Sequence, residues 1–207
     1  MTRAPIIAVC CLTLSGCALL SKGDVSMQRY FSPDLAVGAP APSAARTSLE
    51  LRLGRVTAGA SLDERMMFRT SAQEVGFYDD RQWTEKPETY LRRSLSRVLF
   101  EERGLRSILR GAGPTLDVEL IAFEEVKSQP HVARVKVAFT LSDERVVSLQ
   151  ETISIDRPVV VAPSETDASA VARAMGEALR DVVAELARRV TAELVREAPA
   201  APPGSAP

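Results

Sequence analysis

The sequence predicts a single α+β domain, an antiparallel sheet with two main helices packed on one face. Three observations predict this fold. Apolar and polar residues alternate in several segments between 48 and 155, the period-2 pattern of strands with one wet face. Two segments, one beginning at Pro87 and one after Ser164, repeat apolar residues at helical spacing. The 207 residues are 45% hydrophobic and 26% charged, which is globular composition.

The N-terminus predicts an export signal over residues 1–16. Arg3 precedes an apolar run at 5–14 that is too short to span a bilayer, and small residues follow it. Residues 14–17, Leu-Ser-Gly-Cys, resemble the lipobox of bacterial lipoproteins, in which cleavage falls before the cysteine and its thiol is lipidated. The alternatives are a plain secretory signal and a buried N-terminal hairpin of a cytosolic protein.

Cysteine positions agree with lipidation at Cys17. The three cysteines, Cys10, Cys11 and Cys17, lie in or beside the signal, so the mature chain has no disulfide and no thiolate metal site. We therefore expect covalent lipid, palmitate included, on Cys17 and no other cofactor. Ala18 follows the cysteine, where Asp tends to retain enterobacterial lipoproteins at the inner membrane, so the outer membrane is favoured. Residues 17–27 are the expected lipidated tether.

The first half of the domain, which is predicted to cover 28–196, contains short strands. Residues 28–32 form a candidate first strand, and the Pro-, Ala- and Gly-rich stretch that follows to 47 is typical of a loop. Leucines alternate with polar residues at 48–56, which predicts a half-buried strand. Two extended pieces at 66–70 and 74–78 follow, and Asp79-Asp80 is the expected turn after them.

The first helix is predicted to begin at Pro87, which suits a first turn, and to end at Gly104. An antiparallel meander follows over 105–155. Its strands are expected near 105–110, 116–122, 134–141 and 147–155. In the second of these, Leu116, Val118, Leu120 and Ala122 alternate with polar residues and with Ile121, so these four share one predicted face.

The last helix has candidate N-caps at Ser164, Thr166 and Asp167, and its apolar stripe runs for roughly 30 residues, to Leu194. Such a stripe packs on a sheet more often than in a coiled coil, which is the alternative. Residues 197–207, rich in Ala and Pro, predict a disordered tail.

The residues predict no catalytic, metal or nucleic-acid site. Lys and Arg total 26 against 27 Asp and Glu, without the basic excess that phosphate backbones require. The single histidine, His131, lies in a predicted turn and is expected to be solvated, as are the adjacent acids Glu124-Glu125 and Asp79-Asp80. Neither a Gly-x-Ser-x-Gly sequence nor a phosphate-binding loop is present.

Three arginines lie opposite the apolar stripe of the first helix: Arg92, Arg93 and Arg97. Two interpretations stay open for them. Either Glu101 and Glu102 neutralise their charges, or they contact lipid headgroups or an acidic partner.

Residues 68–91 include a strand with an arginine, a strand ending in tyrosine, Arg-x-Trp, and a proline that opens a Leu-x-x-x-Leu helix. This order resembles the ABC-type transport auxiliary lipoproteins, the group that includes paraquat-inducible protein C. The more polar segment 84–86 departs from that pattern. The positions that match are Arg69, Tyr78, Arg81, Trp83, Pro87, Leu91 and Leu95.

The resemblance implies an outer-membrane lipoprotein on the periplasmic face, acting without catalysis as an auxiliary component of an ABC-type system. Its partners would be a mammalian-cell-entry (MCE) type periplasmic protein, a permease and an ATPase, and the cargo phospholipid or other apolar molecules. The resemblance also leaves homo-oligomeric rings open. The implied partner-binding residues are Arg69, Tyr78, Arg81 and Trp83.

Two interpretations stay open for Trp83, which either packs the helix onto the sheet or belongs to an aromatic patch that meets a partner. The alternative function is a structural or assembly lipoprotein of an outer-membrane or cell-wall complex. A periplasmic hydrolase, the third class, would depend on His131.

Overall fold

The structure is a computed structural model that describes residues 27–33, 47–144 and 146–198. The elements, in chain order, are β1 (Arg29–Phe31), β2 (Glu50–Ala58), β3 (Arg65–Arg69), β4 (Val75–Trp83), α1 (Pro87–Ser96), a π-helical segment (Arg97–Glu102), β5 (Arg106–Ser107), β6 (Thr115–Val126), β7 (Val132–Ser142), β8 (Val147–Pro158) and α2 (Asp167–Glu197).

Strand β6 organises an eight-stranded sheet among the described residues. One edge of β6 pairs antiparallel with β7, which pairs antiparallel with β8. The other edge is long enough to hold two strands end to end: β2 lies parallel to its first half and β3 parallel to its last three residues. Strands β4 and β1 continue the sheet beyond β3, and the short β5 lies beside β2.

The α+β class and the single domain are confirmed. The predicted antiparallel meander is present as β6, β7 and β8, but the sheet as a whole is mixed. Its parallel pairs are β2 and β3 with β6, β1 with β4, and β2 with β5. Alternation within a strand does not reveal the direction of the strand that pairs with it.

Both helices cover one face of the sheet. Helix α2 packs across β7 and β8 and also contacts α1, while α1 packs against β2. The sheet-packing interpretation of α2 is therefore confirmed. Thr166 caps α2, since its hydroxyl accepts a hydrogen bond from the Ser169 amide. Gly104, with φ of 67°, ends the first helical region at the predicted position.

The turn predicted at Asp79-Asp80 is wrong, because β4 runs without a break from Val75 to Trp83. Pairing between β3 and β4 shifts register between Arg65 and Met67, so the acidic pair lies opposite the irregularity. Strand β1 pairs with the last three residues of β4. Asp79 and Asp80, polar residues that would end an isolated strand, are therefore tolerated within β4.

A bulge at Ile121 decides which residues of β6 face the helices. Leu120 pairs with Val137 and Ala122 with Lys136, so Ile121 has no partner on β7. Before the bulge, Leu116, Val118 and Leu120 face the helices, as predicted. After it, the helix-facing positions are Phe123 and Glu125, while Ala122 lies on the opposite face with Lys136, contrary to the predicted alternation.

Candidate functional site

Glu125 is a buried carboxylate at the end of β6, with 2% of its side chain exposed. The Tyr78 hydroxyl donates a hydrogen bond of 2.7 Å to Oε2. The His131 Nε2 lies 2.7 Å from Oε1 and donates to it in the tautomer that carries a hydrogen on Nε2. Each oxygen therefore has a protein donor, as a buried charge requires.

Tyr78 keeps its proton in this arrangement. Burial, the hydrogen bond to Glu125 and the negative charge of that carboxylate raise the pKa of Tyr78 well above its usual range. The positive charge of Arg81 opposes this shift in the pKa only partly. The phenol is consequently a hydrogen-bond donor at every physiological pH.

Two cations flank the Tyr78 ring. The Arg81 guanidinium carbon lies 4.0 Å from the ring centroid, and Lys127 Nζ lies 4.5 Å from it and 3.9 Å from the centroid of Phe68. Arg81 also donates to Asp167 at 3.3 Å, at the start of α2. These groups surround a cavity of about 340 Å³, the Tyr78 recess, which is lined by Tyr78, Arg81, Glu125, Lys127, Gln129, His131 and Asp167.

Arg69 lies on the opposite face of the sheet from the Tyr78 recess. Its Nε donates to Glu124 Oε1 at 2.8 Å, and its Nη1 donates to the carbonyl of Ala72 at 3.0 Å. Glu124 is as buried as Glu125, but its Oε2 has no hydrogen-bond partner among the described residues. Of the four residues that the resemblance implies as partner contacts, the structure brings together only Tyr78 and Arg81.

Trp83 packs into the core, with 2% exposure. Its ring meets that of Phe123 in an edge-on arrangement with the centroids 5.1 Å apart. It lies at the end of β4, four residues before α1 begins. The structure thus favours the packing interpretation, in which Trp83 holds the helix against the sheet.

The predictions that His131 and Glu124-Glu125 are solvated are wrong. Both carboxylates are buried, and His131 is bonded to one of them. A signal was present in the sequence, since these acids interrupt an apolar run at 120–126 and charged residues buried in a sheet need partners. Two of the partners come from β3 and β4, which no local pattern links to β6, and the third comes from the β6–β7 connection.

Of the arginines of the first helix, Arg97 pairs with Glu102, as one interpretation predicted. Arg93 instead pairs with Glu85, at 3.1 Å. Arg92 donates to the carbonyl of Gly54 at 3.1 Å. This helical face is therefore engaged with the domain itself.

The Tyr78 recess can bind but has no evident reactive centre. Glu125, Tyr78 and His131 are hydrogen bonded to one another, while the Lys127 ammonium lies over two aromatic rings and forms no ion pair or hydrogen bond in the described ranges. Within the same ranges, no group of three or more His, Cys, Asp or Glu side chains is arranged to hold a metal ion. The chemistry available is recognition by charge and hydrogen bonding.

Comparison with known families assigns the domain. The model of the ABC-type transport auxiliary lipoprotein component family matches residues 34–187, which include both helices for most of their length and every strand except β1. The chain belongs to this family. A search of curated proteins found no match.

Solved structures share the fold of this auxiliary lipoprotein. A Xanthomonas campestris protein is 21% identical, with a TM-score of 0.70 over 83% of this chain and 100% of its own. An uncharacterised protein is 12% identical, with a TM-score of 0.60 over 79% and 99%. A hypothetical protein from Chlamydia trachomatis is 11% identical, with a TM-score of 0.52 over 74% and 100%. At these identities the likeness concerns the fold alone.

The predicted lipidation site, Cys17, lies outside the described residues, as do the predicted signal 1–16, the predicted tether up to residue 26 and the predicted tail from residue 199. Helix α2 continues to Glu197, the first residue of the predicted tail. Neither helix in the described ranges has the length and apolar character that crossing a membrane requires.

Proposed function

We propose that this auxiliary lipoprotein serves an MCE-associated ABC-type system that moves phospholipid or other apolar molecules between membranes. Lipid on Cys17 would anchor it to the outer membrane, and the domain would act in the periplasm without catalysis. The observation that carries this proposal is the family match over 34–187 together with a lipobox that ends at Cys17.

The geometry agrees with a binding role. Glu125, Tyr78 and His131 of the Tyr78 recess bond to one another. Tyr78 and Arg81 are accessible at this recess, so they remain candidate partner contacts. Arg69 would hold β3 against β6 beside them, and Trp83 would support the same end from the core.

Anchoring is tested by metabolic labelling of the full-length chain with a fatty-acid analogue. We expect label on the wild type and none on Cys17→Ser. Mass spectrometry of the mature N-terminus provides the second measurement, and label retained on the serine variant would refute the anchor. Separation of inner and outer membranes by density then tests the location, since recovery with the inner membrane would contradict the role of Ala18.

Partnership is tested by purifying the tagged chain from gently solubilised membranes. Recovery of an MCE-type protein, a permease and an ATPase supports the proposal. Recovery of outer-membrane assembly or cell-wall proteins alone would instead support a structural or assembly lipoprotein. Arg81→Gln should weaken recovery of the MCE-type protein, whereas Arg93→Gln, at a paired surface arginine distant from the recess, should not.

A further inference from the structure

Lys127 is the cation of the Tyr78 recess that forms no ion pair among the described residues. Its ammonium lies over the rings of Phe68 and Tyr78, and no carboxylate pairs with it among the described residues. Arg81, the other cation, already pairs with Asp167. The nearby charge of Glu125 is satisfied by two hydrogen-bond donors. The four formal charges of the lining, on Arg81, Lys127, Glu125 and Asp167, therefore sum to zero, and the Lys127 ammonium is its spare donor.

Arg81 provides a second indication that the recess lacks a hydrogen-bond acceptor. Its Nε is buried and has no hydrogen-bond partner in the described chain. The Oδ1 atom of Asp80 lies 3.9 Å from this Nε, which is too far for a hydrogen bond. A ligand with several acceptor oxygens could engage both cations, and a phosphate group offers such oxygens. A cavity of about 340 Å³ is large enough for it.

The chain enters the domain at this same end. Arg29, three residues into the described part, donates to the Thr166 hydroxyl at 3.5 Å, and its strand neighbour Arg81 bonds to Asp167. Nine residues lie between Cys17 and Met27, and the ten extended steps from one to the other reach at most about 35 Å. A lipid on Cys17 would therefore keep Met27, where the chain enters this end of the domain, within that distance of the bilayer.

Exposed apolar side chains lie beside the recess. Val160 and Val161, in the connection from β8 to α2, are 63% and 48% exposed. The preceding residue, Val159, donates its amide to the carbonyl of His131, so this connection borders the recess. Met27, at the entry of the chain, is 83% exposed. Apolar groups around a cation are the combination found at membrane–water interfaces.

We propose that the Tyr78 recess binds the phosphate of a phospholipid headgroup, with Lys127 as its main ligand, in the bilayer that holds the lipid anchor. This inference rests on the proposed anchor at Cys17. It adds to the anchor a second, reversible contact that orients the domain, with the connection 159–166 against the membrane surface. The lipid-linked tether alone limits how far the domain can move from the bilayer, whereas a headgroup bound in the recess also limits the rotation of the domain.

Hydrogen–deuterium exchange of the full-length acylated chain tests the proposal. The chain is placed in vesicles of phosphatidylethanolamine and phosphatidylglycerol, and separately in a maltoside detergent, which has no phosphate. We expect amides at 125–131 and 160–168 to exchange about fivefold more slowly in vesicles, the factor for one basic residue at an anionic surface. Lys127→Gln should abolish this slowing, and Lys127→Arg, which keeps the charge, should retain most of it.

Arg29→Gln is the matched control, because it removes a charge at the same end but outside the recess. It should retain the slowing. Equal losses in Arg29→Gln and Lys127→Gln would overturn the proposal in favour of general surface attraction, and no slowing in vesicles would overturn it outright. Slowing reproduced in maltoside by inorganic phosphate would show a site for the free ion and would also reject the headgroup.

The two proposals fail separately. Absence of label on Cys17 defeats the proposed anchor and, with it, this inference. An acylated chain that recovers its transport partners but shows no slowing in vesicles defeats this inference alone. Fluorescence of Trp83, the only tryptophan, verifies that each variant is folded before exchange is measured.

Discussion

Glu124 and Glu125 are adjacent and equally buried, but the sheet holds them on opposite faces by different chemistry. On the helix-covered face, both oxygens of Glu125 accept hydrogen bonds, from Tyr78 and His131. On the other face, Glu124 pairs with the Arg69 cation and leaves one oxygen without a partner in the described chain. Arg69 thus offsets the Glu124 charge with an ion pair, whereas at Glu125 each oxygen has its own hydrogen-bond donor.

The difference has consequences for function. The Arg69–Glu124 pair joins β3 to β6. Glu125 instead lines the Tyr78 recess together with Lys127. The proposed binding role thus falls on one face of the sheet and this ion pair on the other, and four substitutions probe what stabilises the domain.

The largest effect is expected from Trp83→Ala, on the helix-covered face. Removing the ring opens a cavity against Phe123 and should lower the free energy of unfolding by about 3–5 kcal/mol. Urea unfolding followed by circular dichroism measures it. Tyr30→Ala, at an exposed aromatic, should cost under about 0.5 kcal/mol. If the two variants were equally stable, Trp83 would have no packing role.

Arg69→Ala should have the next largest effect, because it leaves the Glu124 charge buried and unpaired. We expect a loss of about 3 kcal/mol in the free energy of unfolding, measured by urea unfolding with Trp83 fluorescence. The double variant with Glu124→Gln should regain part of it, since the remaining side chain is uncharged. No recovery in the double variant would show that Arg69 acts through packing alone.

Tyr78→Phe should cost about 1 kcal/mol at neutral pH, because Glu125 loses one donor. The pKa of Tyr78 is raised in the folded state, so above pH of about 10 the unfolded chain releases this proton while the folded chain keeps it. Wild-type stability should therefore fall as the pH rises past that point, and the variant should lack this component. Parallel curves for both proteins from pH 9 upward would contradict the raised pKa.

The smallest effect is expected on the outer surface of α2, where two arginines lower the pKa of Glu185 to about 2. A lowered pKa contributes stability that is present above the usual value of 4.5 and is lost as the pH falls to about 2. Glu185→Gln should cost under about 1 kcal/mol at pH 6, since the pairs are near solvent. At pH 2 the difference from wild type should shrink, and a constant difference across that range would contradict the ion-pair explanation.

Much of the fold was predictable because it depends on local patterns. The alternation in β7 and β8, the apolar stripe of α2 and the end of the first helical region at Gly104 follow from residue spacing and from the conformations that a glycine allows. The resemblance of 68–91 also identified the family correctly, and it included Tyr78 and Arg81, which do lie together.

The candidate site was only half predictable. Its other half, Glu125, Lys127 and His131, comes from the end of β6 and the connection after it, where Glu125 and His131 were predicted to be solvated. The burial of Glu125 follows from long-range pairing of β3 with β6, across more than 50 residues of chain. A local pattern contains no information about which distant strand will occupy an edge.

The sequence by itself determined the helices, most of the strands, the family and the expected lipid on Cys17, because periodicity and short motifs are properties of neighbouring residues. Only the tertiary structure decided which carboxylate enters the recess. Regular alternation from Leu116 would have placed Glu124 there and turned Phe123 away from the core. The bulge at Ile121 shifts the register by one residue, which places Phe123 against Trp83 and Glu125 beside Tyr78.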